Sequence, residues 1–209
     1  MSLAFLTADP AGGAVARSPM ERQAASAGAR FEVRDGWNVA VSYPQQDAVA
    51  GGWADVSHLR KVELHGAPAV ALELGQATRL GGAWWCPLTA ERTLVIGGEP
   101  GAHAGETSAV DVTSSYAALV LCGPSAREIF ARFTAIDVRE ASLPVRGLRP
   151  GSVARTPGML LREGPARFLM LFGWALGEYM WTVVADAASG TPARPLGLDA
   201  LPPIGAGDA

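Results

Sequence analysis

Residues 116–126 read YAALVLCGPSA, and this stretch decides the fold of the second half of the chain. Its first seven residues form an almost unbroken apolar run, which predicts a buried strand over 116–122. The glycine and proline that follow end the strand. The next apolar residues have the spacing of one helix face: Ala126, Ile129, Phe130 and Phe133. The stretch therefore predicts a strand followed at once by a helix over 124–134.

Further along, two short apolar strands are expected at 159–162 and 167–172, with a turn between them. A second amphipathic segment, 174–187, predicts another helix. The order of strand, helix, strand, strand and helix is most of a split βαβ unit of the ferredoxin-like type.

The first half has a similar order of elements. A helix is expected to begin at Ser18 and Pro19 and to end at Gly28, and a hairpin is expected over 29–43. A strand at 62–65 and a hairpin over 83–96 follow.

Two short words of sequence repeat in the same order in both halves. DVSH at 55–58 matches DVTS at 111–114, and VELHGAPA at 62–69 matches LVLCGPSA at 119–126. The repeat predicts two related modules, 18–105 and 106–188, and it predicts that the segment 67–74 opens a helix as its counterpart does. The fold class expected is therefore α+β, with two pseudo-symmetric ferredoxin-like halves.

Composition narrows the class of protein. Of the 209 residues, 49% are hydrophobic and 18% charged, which is enough apolar material for a core and argues against general disorder. The net charge of −3 gives no basis for binding nucleic acid. We find no secretory signal and no apolar run long enough to cross a membrane, so a cytoplasmic protein is expected. The Gly-, Ala- and Pro-rich ends, 1–17 and 189–209, are expected to be flexible termini without a helix, and their prolines are compatible with either a docked extended arm or a disordered tail.

Four stretches in this order resemble the aminomethyltransferase folate-binding family, which includes the glycine cleavage T-protein and the gamma subunit of heterotetrameric sarcosine oxidase. They are SPMERQAASAGARF at 18–31, ADVSHLRKVELHG at 54–66, the segment 111–126 and the helix 173–187. The resemblance implies an α+β fold of two halves around a central cavity that holds tetrahydrofolate.

The resemblance also suggests which residues would contact a folate. A pterin ring presents adjacent N–H donors that a carboxylate can accept, and its flat face favours aromatic walls. The family's second-half word, which ends in a glutamate, is reduced here to REGP at 162–165. The resemblance suggests that Glu163, with Arg162 beside it, keeps the pterin-binding carboxylate, but a plain turn glutamate is an equal interpretation. Trp84 and Trp85 stand where the family has a pair of aspartates, and because neighbouring strand residues point to opposite faces, only one of them can line a pocket.

No catalytic residue or metal site is identified. The stretch 81–88 contains no acid, so the family's catalytic carboxylate is absent from it. His58 and His65 do not have a metal-ligand spacing, and no acid or cysteine completes a set with them. Cys86 and Cys122 lie in apolar strands and are expected to be inert core thiols.

Two functions remain open at this stage. One is a folate-binding protein of tetrahydrofolate-linked one-carbon metabolism that has lost its catalytic acid. The other is a non-catalytic, gamma-type subunit of a sarcosine oxidase, in a hetero-complex with a flavoprotein oxidase or another one-carbon enzyme. For the second function, two sets of residues are expected to meet the partner, four tryptophans left at the surface and the apolar residues of the tail: Trp84, Trp85, Trp174, Trp181, Leu196, Leu198, Leu201 and Ile204. The alternative is that all four tryptophans are buried and the tail is loose.

Overall fold

The computed structural model describes residues 13–44 and 50–202. Within these ranges the chain forms fourteen strands and three α-helices. The strands are β1 (Ala16–Arg17), β2 (Arg30–Arg34), β3 (Trp37–Ser42), β4 (Gly52–Asp55), β5 (Lys61–His65), β6 (Thr78–Leu80), β7 (Ala83–Thr89), β8 (Arg92–Ile96), β9 (Ser108–Asp111), β10 (Tyr116–Cys122), β11 (Leu148–Val153), β12 (Thr156–Gly164), β13 (Arg167–Gly173) and β14 (Arg194–Pro195). The helices are α1 (Glu21–Ser26), α2 (Ala126–Ala131) and α3 (Gly177–Ala187).

The two main sheets have the same strand order. The five-stranded sheet runs β6-β7-β8-β5-β9, and the six-stranded sheet runs β11-β12-β13-β10-β4 with β14 added at its edge. Every pairing in these sheets is antiparallel except that of β14 with β4. A small third sheet, β1-β3-β2, contains the predicted hairpin 29–43. The repeated words of the sequence therefore correspond to repeated sheets.

Each repeat gives one strand to the sheet of the other. β4 precedes β5 in the chain but pairs with β10, where Asp55 lies opposite Leu119. β9 precedes β10 but pairs with β5, where Asp111 lies opposite Val62. The two sheets are thus tied together by exchanged strands, and each contains residues from both sides of position 105.

Matching hydrogen bonds follow the exchanged strands. The N–H of Val56 donates to the carbonyl of Ala118 over 2.9 Å, and the N–H of Val112 donates to the carbonyl of Lys61 over 2.9 Å. In each case the donor directly follows an exchanged strand, and the acceptor lies near the start of the strand with which that exchanged strand pairs. The backbone of each repeat is therefore held by the other one in the same way.

The side chains of Ser57 and Thr113 add hydrogen bonds at the same two places. We call this region, where each repeat passes a strand to the other sheet, the crossover. The N–H of Ala118 donates to Ser57 Oγ over 3.1 Å, and the N–H of Lys61 donates to Thr113 Oγ1 over 3.0 Å. Both hydroxyl-bearing residues are buried. The hydroxyls satisfy backbone donors that would otherwise be buried without a partner, which is why the two words keep a serine or threonine at this position.

Alternation along the strands gives two main cores. One face of the six-stranded sheet packs against α2 and α3, and its other face packs against the five-stranded sheet. We call the cluster between the sheets the inter-sheet core; its members include Trp84, Cys86, Leu94, Val120, Leu169 and Leu171.

The structure confirms a mixed α/β fold but not two ferredoxin-like halves. The second half has the predicted strand 116–122, a helix within 124–134, the strands around 159–172 and the final helix. In the first half the expected helix in 67–74 is wrong, because this segment is irregular. Val70 and Leu72 cover the outer face of the five-stranded sheet without a helix. So short a segment, with a glycine at 66 and a proline at 68, gains little from helix formation.

Where the structure describes the two ends, they are extended and paired with other strands, as expected of a docked arm. β1 pairs with β3, and β14 pairs in parallel with β4. Leu196 is buried in the inter-sheet core, and Leu198 and Leu201 pack against it. These leucines of the tail therefore lie on this chain's own core instead of on a partner, and Ile204 lies outside the described residues.

The four tryptophans do not form an exposed surface. Trp84, Trp85 and Trp181 are buried, and Trp174 packs edge-on against Trp37 with ring centroids 5.8 Å apart. The expectation that they anchor a partner at the surface is wrong. Trp84 lies in the inter-sheet core, the irregular segment with Val70 and Leu72 covers Trp85, and Trp181 packs against Trp53.

Candidate functional site

Glu163 is a buried carboxylate at the end of β12 and faces the five-stranded sheet. Its Oε1 accepts a hydrogen bond of 2.7 Å from the indole Nε1 of Trp84 on β7. Its Oε2 accepts one of 2.8 Å from Nε of Arg167 at the start of β13. Strand alternation places Glu163 on the same face as Leu161, a member of the inter-sheet core. The carboxylate therefore links the two sheets through Trp84.

Arg167 connects this site to the C-terminal segment. While its Nε binds Glu163, its Nη1 donates to the carbonyl of Pro202 over 2.7 Å. The side chain of Arg167 is 13% exposed and that of Glu163 is 3% exposed, so the ion pair lies in the interior. Leu196 joins the same apolar cluster as Trp84. The carboxylate is thus enclosed by an indole, a guanidinium and the chain's own tail.

Both oxygens of the Glu163 carboxylate already accept hydrogen bonds from the protein. A pterin would need both oxygens of Glu163 for its adjacent N–H groups, and here one oxygen is bound by an indole and the other by a guanidinium. A charged hydrogen bond made in a buried place is strong, and breaking it leaves a buried charge with fewer partners. A ligand at this site would have to displace the Trp84 side chain.

Arg162 lies on the other face of the same strand. Its guanidinium lies over the ring of Phe168, with the carbon 5.7 Å from the ring centroid. It donates to three backbone carbonyls, those of Leu143, Gly164 and Pro165. These contacts hold the hairpin turn and the segment before β11. Arg162 therefore supports the strand that carries Glu163 from the side opposite to the carboxylate.

Trp85 also faces away from Glu163. It belongs to the core on the outer face of the five-stranded sheet, and its ring meets that of His103 edge-on at 6.0 Å. Its indole nitrogen has no hydrogen-bond partner among the described residues. Of the four residues singled out from the sequence, the structure brings Glu163 and Trp84 into contact and places the other two elsewhere.

Sequence reasoning missed Arg167. The signal was present, because Glu163 and Arg167 flank the turn GPA in a hairpin, where residues on facing strands come together. The contribution of the C-terminal segment had no comparable signal, because it depends on where residue 202 lies in space.

The two thiols are buried and free. Burial raises the pKa of the Cys86 thiol, and the nearby charge of Glu163 raises it further. Burial also raises the pKa of Cys122. Thiols held in the neutral form are poor nucleophiles. Both cysteines lie in the inter-sheet core.

A second group of titratable residues lies at the crossover between the sheets. Lys61 is fully buried, and its Nζ donates to the carbonyls of Ser57 and Leu59 over 2.8 Å each. Burial lowers the pKa of Lys61 to about 8, although Asp55 and Asp111 oppose this effect. Burial lowers the pKa of His58 to about 4. His58 is therefore neutral at pH 7.

A polar cleft of about 700 Å³ opens beside this group, and His58, Arg60, Asp111 and Thr113 are among its lining residues. Across residues 13–44 and 50–202, no three His, Cys, Asp or Glu side chains come together in a way that could hold a metal ion. No helix in the same part of the chain has the length and apolar character needed to span a membrane.

Solved structures of known proteins share the fold of this chain. No protein-family model matches the chain, and no curated protein matches its sequence. Among solved structures, a chain of the heterotetrameric sarcosine oxidase from Corynebacterium sp. U-96, in complex with pyrrole 2-carboxylate, superposes with a TM-score of 0.64 at 19% identity. That match covers 85% of this chain and 97% of the oxidase chain.

The glycine cleavage system aminomethyltransferase T from Bartonella henselae superposes with a TM-score of 0.69 at 17% identity. The match covers 89% of this chain but 60% of the aminomethyltransferase. This chain therefore has the fold that aminomethyltransferase T shares with a sarcosine oxidase subunit, as the sequence resemblance implied.

Proposed function

We propose that this chain is a non-catalytic, gamma-type subunit that works in a hetero-complex with a flavoprotein oxidase of the sarcosine oxidase type. The observation that carries the proposal is the enclosed state of Glu163. Its two oxygens are bound by Trp84 and Arg167, and the C-terminal segment covers Arg167. A carboxylate used in this way stabilises the contact between two sheets instead of receiving a pterin.

Two further observations support this function. The stretch 81–88 has no acid, and the loss of one preorganised electrostatic group reduces an enzymatic rate by about 10²–10³. The fold is also that of a chain of a heterotetrameric sarcosine oxidase, which works in a complex of several chains. A cytoplasmic location is part of the proposal, because both buried cysteines are free thiols.

The test is purification of the tagged full chain from its native host. We expect it to elute as a complex of fixed stoichiometry that carries flavin absorbance, with a second chain that mass spectrometry identifies as a flavoprotein oxidase. The purified chain alone should transfer no aminomethyl group to tetrahydrofolate. A free monomer without flavin, or transfer at a normal enzymatic rate, would contradict the proposal.

The burial of a carboxylate between the two sheets favours a second candidate function, tetrahydrofolate binding. In that case Trp84 turns away, and Glu163 accepts the pterin N–H groups in its place. Titration with tetrahydrofolate while tryptophan fluorescence is recorded tests this. A saturable change in the wild type that Glu163→Gln removes, and that Glu106→Gln at an exposed position keeps, would support folate binding. The absence of any change in the wild type would exclude it at this site.

A further inference from the structure

An apolar cleft lies between the two main sheets at the end opposite to Glu163. Its volume is about 640 Å³, within the range of small-molecule sites. One wall comes from the β7–β8 hairpin and includes Pro87 and Leu88, and the other comes from β11, β12 and β13 and includes Met159 and Leu171. The cleft is open to solvent at Leu74, which is 59% exposed.

The strand order makes this cleft the counterpart of the Glu163 site. β7 and β12 hold the same position in the two sheets. At the first place, Trp84 at the start of β7 meets Glu163 at the end of β12. At the second place, Met159 near the start of β12 faces Leu88 near the end of β7. The indole of Trp84 fills the space beside Glu163. At the equivalent space beside Leu88, Met159 is smaller than an indole, and a cleft is left.

The polar side chains that line the cleft can all donate hydrogen bonds. They are the guanidinium of Arg92 and the hydroxyls of Thr89 and Tyr116. Arg92 uses Nε and Nη2 for Glu63, at 2.9 and 3.0 Å, and among the described residues nothing accepts from its Nη1. The described lining contains no carboxylate. The free Nη1 of Arg92 and the two hydroxyls favour a ligand whose head accepts hydrogen bonds, such as a carboxylate.

We propose that this cleft binds a small amphipathic carboxylate. The apolar body of the ligand lies between the sheets against Leu88, Met159 and Leu171. Its carboxylate lies at the hairpin end, where Nη1 of Arg92 and the hydroxyl of Tyr116 donate to it. The site is separate from Glu163, and it does not depend on whether the chain binds a flavoprotein or a folate.

Three probes with the same ten-carbon body and different heads test the proposal: decanoate, decanol and decylamine. Calorimetric titration of the full chain should give saturable binding of decanoate, at least about 10-fold tighter than decanol, because a charge-assisted hydrogen bond is worth that factor or more. Decylamine should bind more weakly than decanol. Equal affinity for decanoate and decylamine, or no binding of any probe, overturns the proposal.

Two variants locate the binding. Arg92→Gln should weaken decanoate at least about 10-fold and leave decanol unchanged, since it removes the charged donor and keeps the apolar walls. Leu88→Trp places an indole in the cleft and should abolish both. Val33→Trp, on an exposed strand position outside the cleft, is the matched control and should bind as the wild type does. Unchanged decanoate affinity in either variant, once folded, overturns the proposal. If a variant fails to fold, the comparison of decanoate, decanol and decylamine on the wild type still tests it.

Discussion

Arg92 and Arg167 begin strands that hold the same place in the two sheets, and each binds a buried glutamate. The side chain of Arg167 is 13% exposed, because the C-terminal segment covers it, whereas that of Arg92 is 47% exposed beside an open cleft. The arginine at this position is therefore covered by the chain's own tail in one repeat and accessible to a ligand in the other. This difference separates the Glu163 site from the cleft between the sheets.

Trp84→Phe should destabilise the protein by about 1–3 kcal/mol beyond the loss of packing, because Glu163 loses one of its two donors in the interior. Urea unfolding measures the effect. Trp85→Phe is the matched control, since Trp85 is equally buried but its indole N–H has no partner among the described residues. Equal losses in the two variants would show that the indole hydrogen bond contributes nothing to stability.

Ser57→Ala and Thr113→Val should each destabilise the protein by about 1–3 kcal/mol, because each leaves one buried backbone N–H at the crossover without an acceptor. Since the two hydroxyls make matching bonds, the two losses should be similar. Chemical denaturation of both variants checks this. Ser114→Ala, at an exposed neighbouring position, should change little. A large loss in one variant and none in the other would refute the equivalence of the two repeats.

Acid should destabilise the fold through His58. Burial lowers its pKa in the folded state to about 4, with Lys61 and Arg34 acting in the same direction and Asp35 opposing. Between pH 6.5 and pH 4 the unfolded state therefore binds more protons, so the free energy of unfolding falls as the pH falls through this window. The loss should amount to about 1–3 kcal/mol.

Unfolding curves measured at several pH values for His58→Gln and wild type test this sign. The variant should show a flatter dependence on pH between 4 and 6.5. The exposed His103→Gln is the control and should keep the slope of the wild type. The same slope in all three proteins would mean that His58 is freely protonated in the fold.

Gly52→Ala should loosen the C-terminal strand. A Cβ at Gly52 would collide with the carbonyl oxygen of Arg194, which is backbone and cannot turn aside. We expect a loss of about 1–3 kcal/mol or more, together with faster hydrogen exchange in 194–196. Gly173→Ala is the control, because its nearest neighbour would be a side-chain carbon 3.9 Å away. If Gly52→Ala leaves exchange in this segment unchanged, β14 is not held by β4.

The sequence predicted the local elements of the second half well, because their periodicity is strong. The strand 116–122 and the helix after it need no distant partner to be recognised. β11 escaped prediction because it contains Pro150 and Gly151, which are rare within strands; β11 is an edge strand, where proline is tolerated.

The relation between the sheets could not be read from the pattern. The repeated words predicted two modules, but nothing in DVSH or DVTS shows that the preceding strand crosses to the other sheet. The contact of Trp84 with Glu163 joins residues that are 79 positions apart. Helix 67–74 was expected from the repeat, and the irregular segment found there shows that matching words can keep a sheet while losing a helix.

The exchange of strands between the two sheets also determines when the nascent chain can fold on the ribosome. β4 is translated early, but its partner β10 begins more than sixty residues later, at Tyr116. Until that strand leaves the exit tunnel, the nascent chain holds β4 without its partner, and an unpaired strand edge favours aggregation. Neither repeat can complete its sheet alone, so a ribosome that stalls between the two repeats releases a fragment for chaperones and proteases instead of a folded half.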